Sequence, residues 1–183
     1  MNFVVKNNKI VYNNSNWHSW RKTGENMIET VSCGGVVIYK GKLLILYKDY
    51  KNKYVGWVLP KGTVETGETH QVTAVREVRE ESGVSANIVK YVGTSQYSFQ
   101  GNDDIINKSV HWYLMKTTSF YTKPQREEYF LDAGFYKYHE AYHLLKFSDE
   151  RYVLKKAYNA YLELRKNNQW FSKDEGNFYY KYK

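Results

Sequence analysis

The chain has 183 residues, of which 42% are hydrophobic, 17% aromatic and 25% charged, and its formal net charge is +8. This length supports one domain with a sizeable core, and the composition excludes a disordered polypeptide. Cys33 is the only cysteine, so an intrachain disulfide is excluded and the thiol is expected to be a small buried strand residue. Neither a signal-peptide pattern nor an apolar run of about 18 residues is present, so we expect a cytoplasmic protein without a membrane partner.

The elements are predicted from residue periodicity and turn signals. The predicted strands, in chain order, are residues 3–5, 10–12, 30–39, 42–47, 55–59, 87–93, 94–99, 108–116 and 133–138. The predicted helices are residues 69–82, residues 139–145 and a final helix capped by Ser148, with an apolar stripe at Val153, Ala157, Ala160, Tyr161 and Leu164. A polar loop is expected over residues 49–54, and the tail after residue 165 interleaves aromatic residues with lysine.

Two regions of this pattern leave alternatives open. Trp17, Trp20 and Arg21 follow the first predicted hairpin and either cover the edge of the core or contact a base. Adjacent glycines in a strand, here Gly34 and Gly35, indicate close approach of another group to the backbone, which is either a substrate or ordinary packing.

The predicted helix over residues 69–82 carries too much negative charge on one side. At about 100° per residue, Glu77, Glu80 and Glu81 share one narrow arc, and like charges at these spacings repel. The opposite arc is predicted to be apolar and contains Val72, Ala74, Val75 and Val78. A cation must therefore neutralise the acidic arc, and Mg²⁺, which prefers oxygen ligands, is the natural candidate. A merely solvated acidic face is the alternative.

The positive charge is distributed around this acidic segment. Residues 62–84 hold five acidic and two basic side chains, which leaves 14 acidic and 25 basic ones elsewhere, a balance of +11. An acidic metal site in a basic chain suits a polyanionic substrate, although lysine-rich surfaces often serve solubility only. Nucleic acid would be attracted by the same charge.

Residues 62–84 resemble the signature of the Nudix hydrolases at every fixed position, from a first glycine through a spaced glutamate to an Arg-Glu pair and a Glu-Glu pair. The matching residues are Gly62, Glu68, Arg76, Glu77, Val78, Glu80, Glu81, Gly83 and Val84. The resemblance implies an α/β fold of the α+β kind, a Nudix-type α/β/α sandwich with a mixed β-sheet between helices. It also implies one domain over residues 1–183, with an extension over 1–28, a core over 29–165 and a tail over 166–183.

The resemblance implies hydrolysis of a nucleoside diphosphate linked to another group, with Mg²⁺ or Mn²⁺ and more than one ion. Glu77, Glu80, Glu81 and Gly62 match the metal-binding positions. Arg76 matches an orienting arginine and Glu68 a supporting acid. The base is expected to be Glu81, with Glu128 as an additional ligand or base. The alternative for Glu128 and its neighbour Glu127 is a solvated loop pair, which the sequence favours slightly over a role in the site.

The substrate is less defined. The run Trp57-Val58-Leu59-Pro60-Lys61-Gly62, with the strands holding Gly34 and Val110, looks like the bacterial diadenosine tetraphosphate hydrolase branch. Lys61 is predicted to bind phosphate, and adenine is expected to stack on an aromatic side chain. The predicted substrate-binding set is Lys61, Gly34, Gly35, Tyr97, His111 and Tyr113. We expect a small nucleotide partner and no DNA partner; removal of pyrophosphate from RNA 5′ ends and a non-catalytic binding module are the alternatives.

Overall fold

The computed structural model describes residues 2–6, 9–13, 27–50, 54–100 and 104–170, and in the first two segments it describes only the backbone. The strands are β1 (Asn2–Lys6), β2 (Lys9–Asn13), β3 (Met27–Tyr39), β4 (Lys42–Tyr50), β5 (Tyr54–Val58), β6 (Lys61–Thr63), β7 (Asn87–Gln100), β8 (Ile105–Lys116) and β9 (Phe130–Lys137). The helices are α1 (His70–Ser82), α2 (Tyr138–Leu144) and α3 (Ser148–Lys166), with a 3₁₀ turn at Arg126–Glu128.

These strands form one mixed sheet that divides into two branches. The main order is β1-β2-β7-β8-β3-β4-β5, with β8 parallel to β3 and antiparallel to β7. β3 and β4 pair only beside their turn, because the first half of β3 pairs with β6 while β4 pairs with β5 and β9. The division leaves β6 on one branch and β4 on the other, with α1 packed against β3 and β6.

Helices cover both faces of the sheet, as the predicted α/β/α sandwich requires. On one face, Ala74 and Val78 of α1 pack against β3 and β4. On the other face, Leu154 and Ala157 of α3 join Trp112 in the second core cluster. Within the described ranges no helix is long and apolar enough to cross a membrane.

Several element predictions are confirmed. The first two predicted strands pair antiparallel as β1 and β2. Lys40 and Gly41, between the predicted strands 30–39 and 42–47, make a tight turn with φ of 47° and 77°. The predicted stripe of α3 faces the core, since Val153, Ala157 and Tyr161 are buried. Cys33 is fully buried, and burial first, then the nearby charges of Glu68 and Glu77, raise its pKa to about 11.

Other boundaries were wrong. The two strands predicted over residues 87–99 are one strand, β7, which absorbs Gly93 (φ 147°) at a register shift. The predicted polar loop over 49–54 is shorter, because β4 runs to Tyr50 and β5 begins at Tyr54. Ser148 is the first residue of α3 rather than its N-cap, which is Phe147. Trp17, Trp20 and Arg21 lie outside the described residues.

Candidate active site

The helix α1 begins and ends where its capping residues predict. The Thr69 hydroxyl accepts a hydrogen bond from Val72 N, and Gly83, in the left-handed region at φ 73°, donates its N–H to Arg79 O. Within the helix, the apolar-arc prediction was wrong for Val72, which is 54% exposed. Two of the glutamates, Glu77 and Glu81, are instead buried beside the core residues of α1. These two carboxylates therefore face the protein while Glu80 stays exposed, and the buried charges must be met by groups of the protein or by a bound cation.

Gly62 lies directly against the Glu77 carboxyl group. A Cβ atom at Gly62 would lie 2.0 Å from the carboxyl carbon and from Oε2 of Glu77. Gly62 belongs to β6 and has no positive φ, so it does not serve a tight turn; the turn falls at Gly67, with φ 87°. The glycine is needed because its backbone forms one wall of the Glu77 carboxylate site.

Arg76 gathers three of the acidic side chains. Its Nε and Nη2 donate to the two oxygens of Glu68 at 2.7 and 2.9 Å. Its Nη1 donates to Glu77 Oε1 at 2.8 Å and to Glu80 Oε2 at 2.9 Å. Nη2 also donates to the Thr63 carbonyl at 3.0 Å, which ties α1 to β6. This planar fork explains why an arginine is required and a lysine would not serve.

The charge of Arg76 has a measurable effect on Glu68. Hydrogen bonds from Arg76 and from the Thr73 hydroxyl lower the pKa of Glu68 to about 2. Glu68 is thus ionised at neutral pH and hydrogen-bonded to Arg76 beside the acidic arc, and its supporting role stays a prediction. In turn, Arg76 holds Glu77 and Glu80 next to each other.

Glu81 has a different partner. Its Oε2 accepts a hydrogen bond from the backbone N–H of Lys61 at 2.9 Å. The side chain is buried, and this burial raises its pKa to about 8, although the charges of Lys61 and Lys48 oppose the change. In the metal-free protein Glu81 is therefore an acid with a pKa close to neutral pH.

The loop before β9 brings one further carboxylate to this cluster. Glu128 is close enough for its charge to raise the pKa of Glu77 and to attract Lys48. The loop is held against α1 by backbone bonds from Gln125 N to Glu81 O and from Lys123 N to Ser82 O. No comparable interaction of Glu127 is found among the described residues, so Glu128 is the one of the two that lies beside this cluster.

A family model described as the NUDIX domain matches residues 30–157. The chain belongs to the Nudix family. A protein of Mycobacterium tuberculosis described as mutator protein MutT4 is 43% identical over 60 residues, covering 33% of this chain and 24% of that protein. An RNA pyrophosphohydrolase of Erythrobacter litoralis is 34% identical over 99 residues, covering 47% of this chain and 60% of that enzyme. The chain thus spans less than two thirds of either relative.

Solved structures agree on the fold. A Nudix hydrolase from Nitrosomonas europaea superimposes with a TM-score of 0.60 at 16% identity, covering 72% of this chain and 90% of that one. At this identity the likeness concerns the arrangement of the sheet and helices, not the substrate.

The donor set of this Nudix site fits a hard divalent cation. Glu77 and Glu80 converge on one nitrogen of Arg76, Glu81 lies one helical turn further along α1, and Glu128 approaches Glu77. All of these are carboxylates, the ligands that Mg²⁺ and Mn²⁺ take in proteins. Among the described residues, no three such side chains lie in a metal-holding arrangement. Arg76 and the Lys61 N–H each engage one oxygen of these glutamates, namely Oε1 of Glu77, Oε2 of Glu80 and Oε2 of Glu81.

Lys61, the predicted phosphate ligand, is paired with a buried carboxylate. Its ammonium group lies 2.8 Å from Glu150 Oε1, and Glu150, in the first turn of α3, is 1% exposed. Burial acts to lower the pKa of Lys61, but the Glu150 carboxylate outweighs it and the pKa lies above its usual value. This ion pair was not predicted, because Glu150 is 89 residues away in the sequence. Phosphate binding by Lys61 stays a prediction.

The predicted glycine and tyrosine contacts prove to be packing positions. Both Gly34 and Gly35 are buried, and a Cβ there would collide with Pro60 O or with Met115, respectively. Tyr113 is 5% exposed in the core under α1, so its ring is covered by protein. The close approach at the two glycines is therefore made by the protein itself.

The two remaining predicted contacts lie apart from each other. His111 has its ring 4.2 Å from that of His70, at the N-terminus of α1, and lies within 3.2 Å of the Tyr91 hydroxyl. Burial raises the pKa of Tyr97, the charge of Lys61 lowers it and the charge of Glu150 raises it. Tyr97 therefore lies near both of these charged groups. Of the predicted aromatic residues, Tyr97 is thus the one beside the charged groups, and its role in stacking stays a prediction.

Two lysines at the site were missed. Lys48 and Lys108 are half-buried, and neither has a hydrogen bond or ion pair among the described residues. Burial lowers the pKa of both lysines. The positive charge of Lys61 also lowers these pKa values, whereas the carboxylates of Glu77 and Glu81 raise them. The sequence does contain a signal, because Lys48 continues the inward face of Leu44 and Leu46 along β4. A charged residue on the buried face of a strand indicates a functional position.

Proposed function

We propose that this Nudix protein is a metal-dependent pyrophosphohydrolase that cleaves a phosphoanhydride bond of a nucleotide. The proposed substrates are diadenosine tetraphosphate or another nucleoside polyphosphate. The proposal rests on one observation. Clustered carboxylates lie near two half-buried lysines that have no ion pair among the described residues. A polyphosphate bound with a divalent ion supplies the counter-charge for both groups.

The proposed roles follow from the contacts. Glu77, Glu80 and Glu81 would hold Mg²⁺ or Mn²⁺, with the Gly62 backbone beside them. When bound, such ions neutralise phosphate oxygens and lower the pKa of coordinated water. Arg76 and Glu68 keep the glutamates in place, and Glu81 accepts the proton of the attacking water, with Glu128 as the second candidate for this role.

Lys48 and Lys108 are the proposed phosphate ligands. Both ammonium groups are partly removed from water without an ion pair, an arrangement that costs free energy unless an anion binds. Lys48 lies 4.0 Å above the Phe130 ring centroid, so an apolar surface holds its side chain. The two lysines belong to β4 and β8, on different parts of the sheet, and a chain of several phosphates would contact both.

A nucleotide panel with product identification tests the proposal. The protein is incubated with Mg²⁺ or Mn²⁺ and, separately, diadenosine tetraphosphate, nucleoside triphosphates and RNA with a 5′-triphosphate. Wild type is expected to release ATP plus AMP, or two ADP, from diadenosine tetraphosphate, and Glu81→Gln is expected to lose this turnover. Absence of metal-dependent turnover on every substrate would refute the proposal.

A relative named RNA pyrophosphohydrolase favours RNA 5′ ends as a second candidate substrate. The same panel separates the two, because preference for RNA predicts binding that weakens steeply with salt.

The lysine assignment has its own test. Lys48→Ala and Lys108→Ala should each raise KM about 10- to 100-fold, as expected for a lost hydrogen bond between charged groups. Lys155→Ala, on an exposed position of α3, removes the same charge and serves as the matched control. Unchanged KM in both site variants would contradict the assignment even if the enzyme is active.

A further inference from the structure

The segment 59–62 connects β5 to β6 and contacts two of the glutamates of α1. Lys61 donates its N–H to Glu81, and the Gly62 backbone lies against Glu77. Because successive strand residues face opposite sides, Gly62 faces α1 while the Lys61 side chain faces α3. The position of this short segment thus determines where both carboxylates rest.

Glu150 holds the same segment from the α3 side. Its Oε2 accepts the backbone N–H of Leu59 at 2.8 Å, and its Oε1 accepts from Lys61 Nζ at 2.8 Å. Both carboxylate oxygens are used, and they contact alternate residues of the segment. The neighbouring bond from Lys146 N to Trp57 O, at 2.8 Å, fixes the chain just before it.

We propose that Glu150 is a positioning residue of the active site, which acts through Leu59 and Lys61 on the Glu81 carboxylate. The inference rests on the proposed function and extends it to a residue outside the Nudix signature. Lys61 is then a structural link between α3 and α1, and the phosphates are bound by other cations.

The energetics of burial support a positional role. Glu150 is almost completely buried, and taking its charge and that of Lys61 out of water is costly. A pair of apolar side chains of similar size is often at least as stabilising at such a position. The two bonds from Glu150 to Leu59 and Lys61 therefore serve the geometry of this segment more than its stability.

The proposal is tested with a double variant that removes the pair without leaving a buried charge, Lys61→Met with Glu150→Leu. The melting temperature is expected to stay equal or rise, while kcat falls at least tenfold and KM changes less than threefold. Lys61→Met with Glu150→Gln, whose single carbonyl oxygen keeps an acceptor for Leu59 N–H without leaving a buried charge, should recover part of kcat. Glu163→Leu, on an exposed position of α3, is the matched control and should match wild type.

Two kinetic outcomes would overturn the inference. Unchanged kcat in the double variant would show that the pair does not position the site. A large rise in KM at constant kcat would show that Lys61 binds substrate directly.

A readout independent of turnover separates this inference from the proposed function. Hydrogen exchange of the amide at residue 61, which reports its bond to Glu81, should be faster in the double variant and unchanged in Glu163→Leu. If wild type hydrolyses no nucleotide but exchange accelerates, the positioning stands and the proposed function fails. If exchange at residue 61 is unchanged, the positioning fails whatever the activity.

Discussion

Replacement of Gly62 by alanine tests how strictly the Glu77 carboxylate is placed. The added methyl group would lie 2.0 Å from the carboxyl carbon, whereas carbon atoms in contact lie about 3.5 Å apart, so the carboxyl group must retreat by roughly 1.5 Å. A displacement of about 1 Å at a catalytic group can cost about 100-fold in rate. We therefore expect kcat of Gly62→Ala to fall about 100-fold, with a loss of stability of roughly 1–3 kcal/mol from overpacking.

Gly67→Ala is the matched control. Gly67 has a φ of 87°, so alanine there costs roughly 1–2 kcal/mol of backbone strain, but its Cβ meets no atom within 4 Å. The two variants should lose similar stability in chemical denaturation, and only Gly62→Ala should lose kcat in a metal-dependent turnover assay. Equal kcat in the two variants would refute the reasoning that Gly62 shapes the carboxylate site.

Three further predictions follow from the charges and burial at the site. The pKa of Glu81 is about 8 in the folded protein and about 4.3 in the unfolded chain. At a pH between these two values, the folded state therefore binds more protons than the unfolded state. The melting temperature without metal should therefore fall as pH rises from about 5 to 8, and Glu81→Gln should reduce this fall; a rising melting temperature would contradict it. Arg76→Lys, which cannot hold Glu68, Glu77 and Glu80 together, should lower kcat more than tenfold, and wild-type kcat would count against the arginine's role. Cys33, buried with a pKa of about 11, should react with a thiol reagent only when the protein unfolds, as absorbance of the released group would report.

Local signals in the sequence were sufficient for α1 and its surroundings. Gly67 and Gly83 have backbone properties that favour a turn and a helix end on their own, and both have a positive φ in the structure. Thr69, predicted as the first helical residue, is the N-cap instead. The spacing of the glutamates correctly indicated a shared acidic arc. Helical spacing does not show which way the arc faces. The burial of Glu77 and Glu81 depends on β6, which this spacing does not reveal.

Long-range contacts explain the remaining failures. β6 has three residues and pairs with β3, about 30 residues earlier, so no periodicity is long enough to predict it. The ion pair of Lys61 was not predicted because Glu150, in another helix, is distant in sequence. Lys48 was missed because the strand was predicted to end at residue 47, whereas β4 continues to Tyr50.

Metal-dependent turnover of diadenosine tetraphosphate by wild type, Glu81→Gln and Gly67→Ala, with products separated by ion-exchange chromatography, tests the central claim most directly. The claim predicts mononucleotide products from wild type and from Gly67→Ala in the presence of Mg²⁺ or Mn²⁺, and none from Glu81→Gln. Turnover by Glu81→Gln at the wild-type rate, or products formed equally with a chelator present, would contradict it.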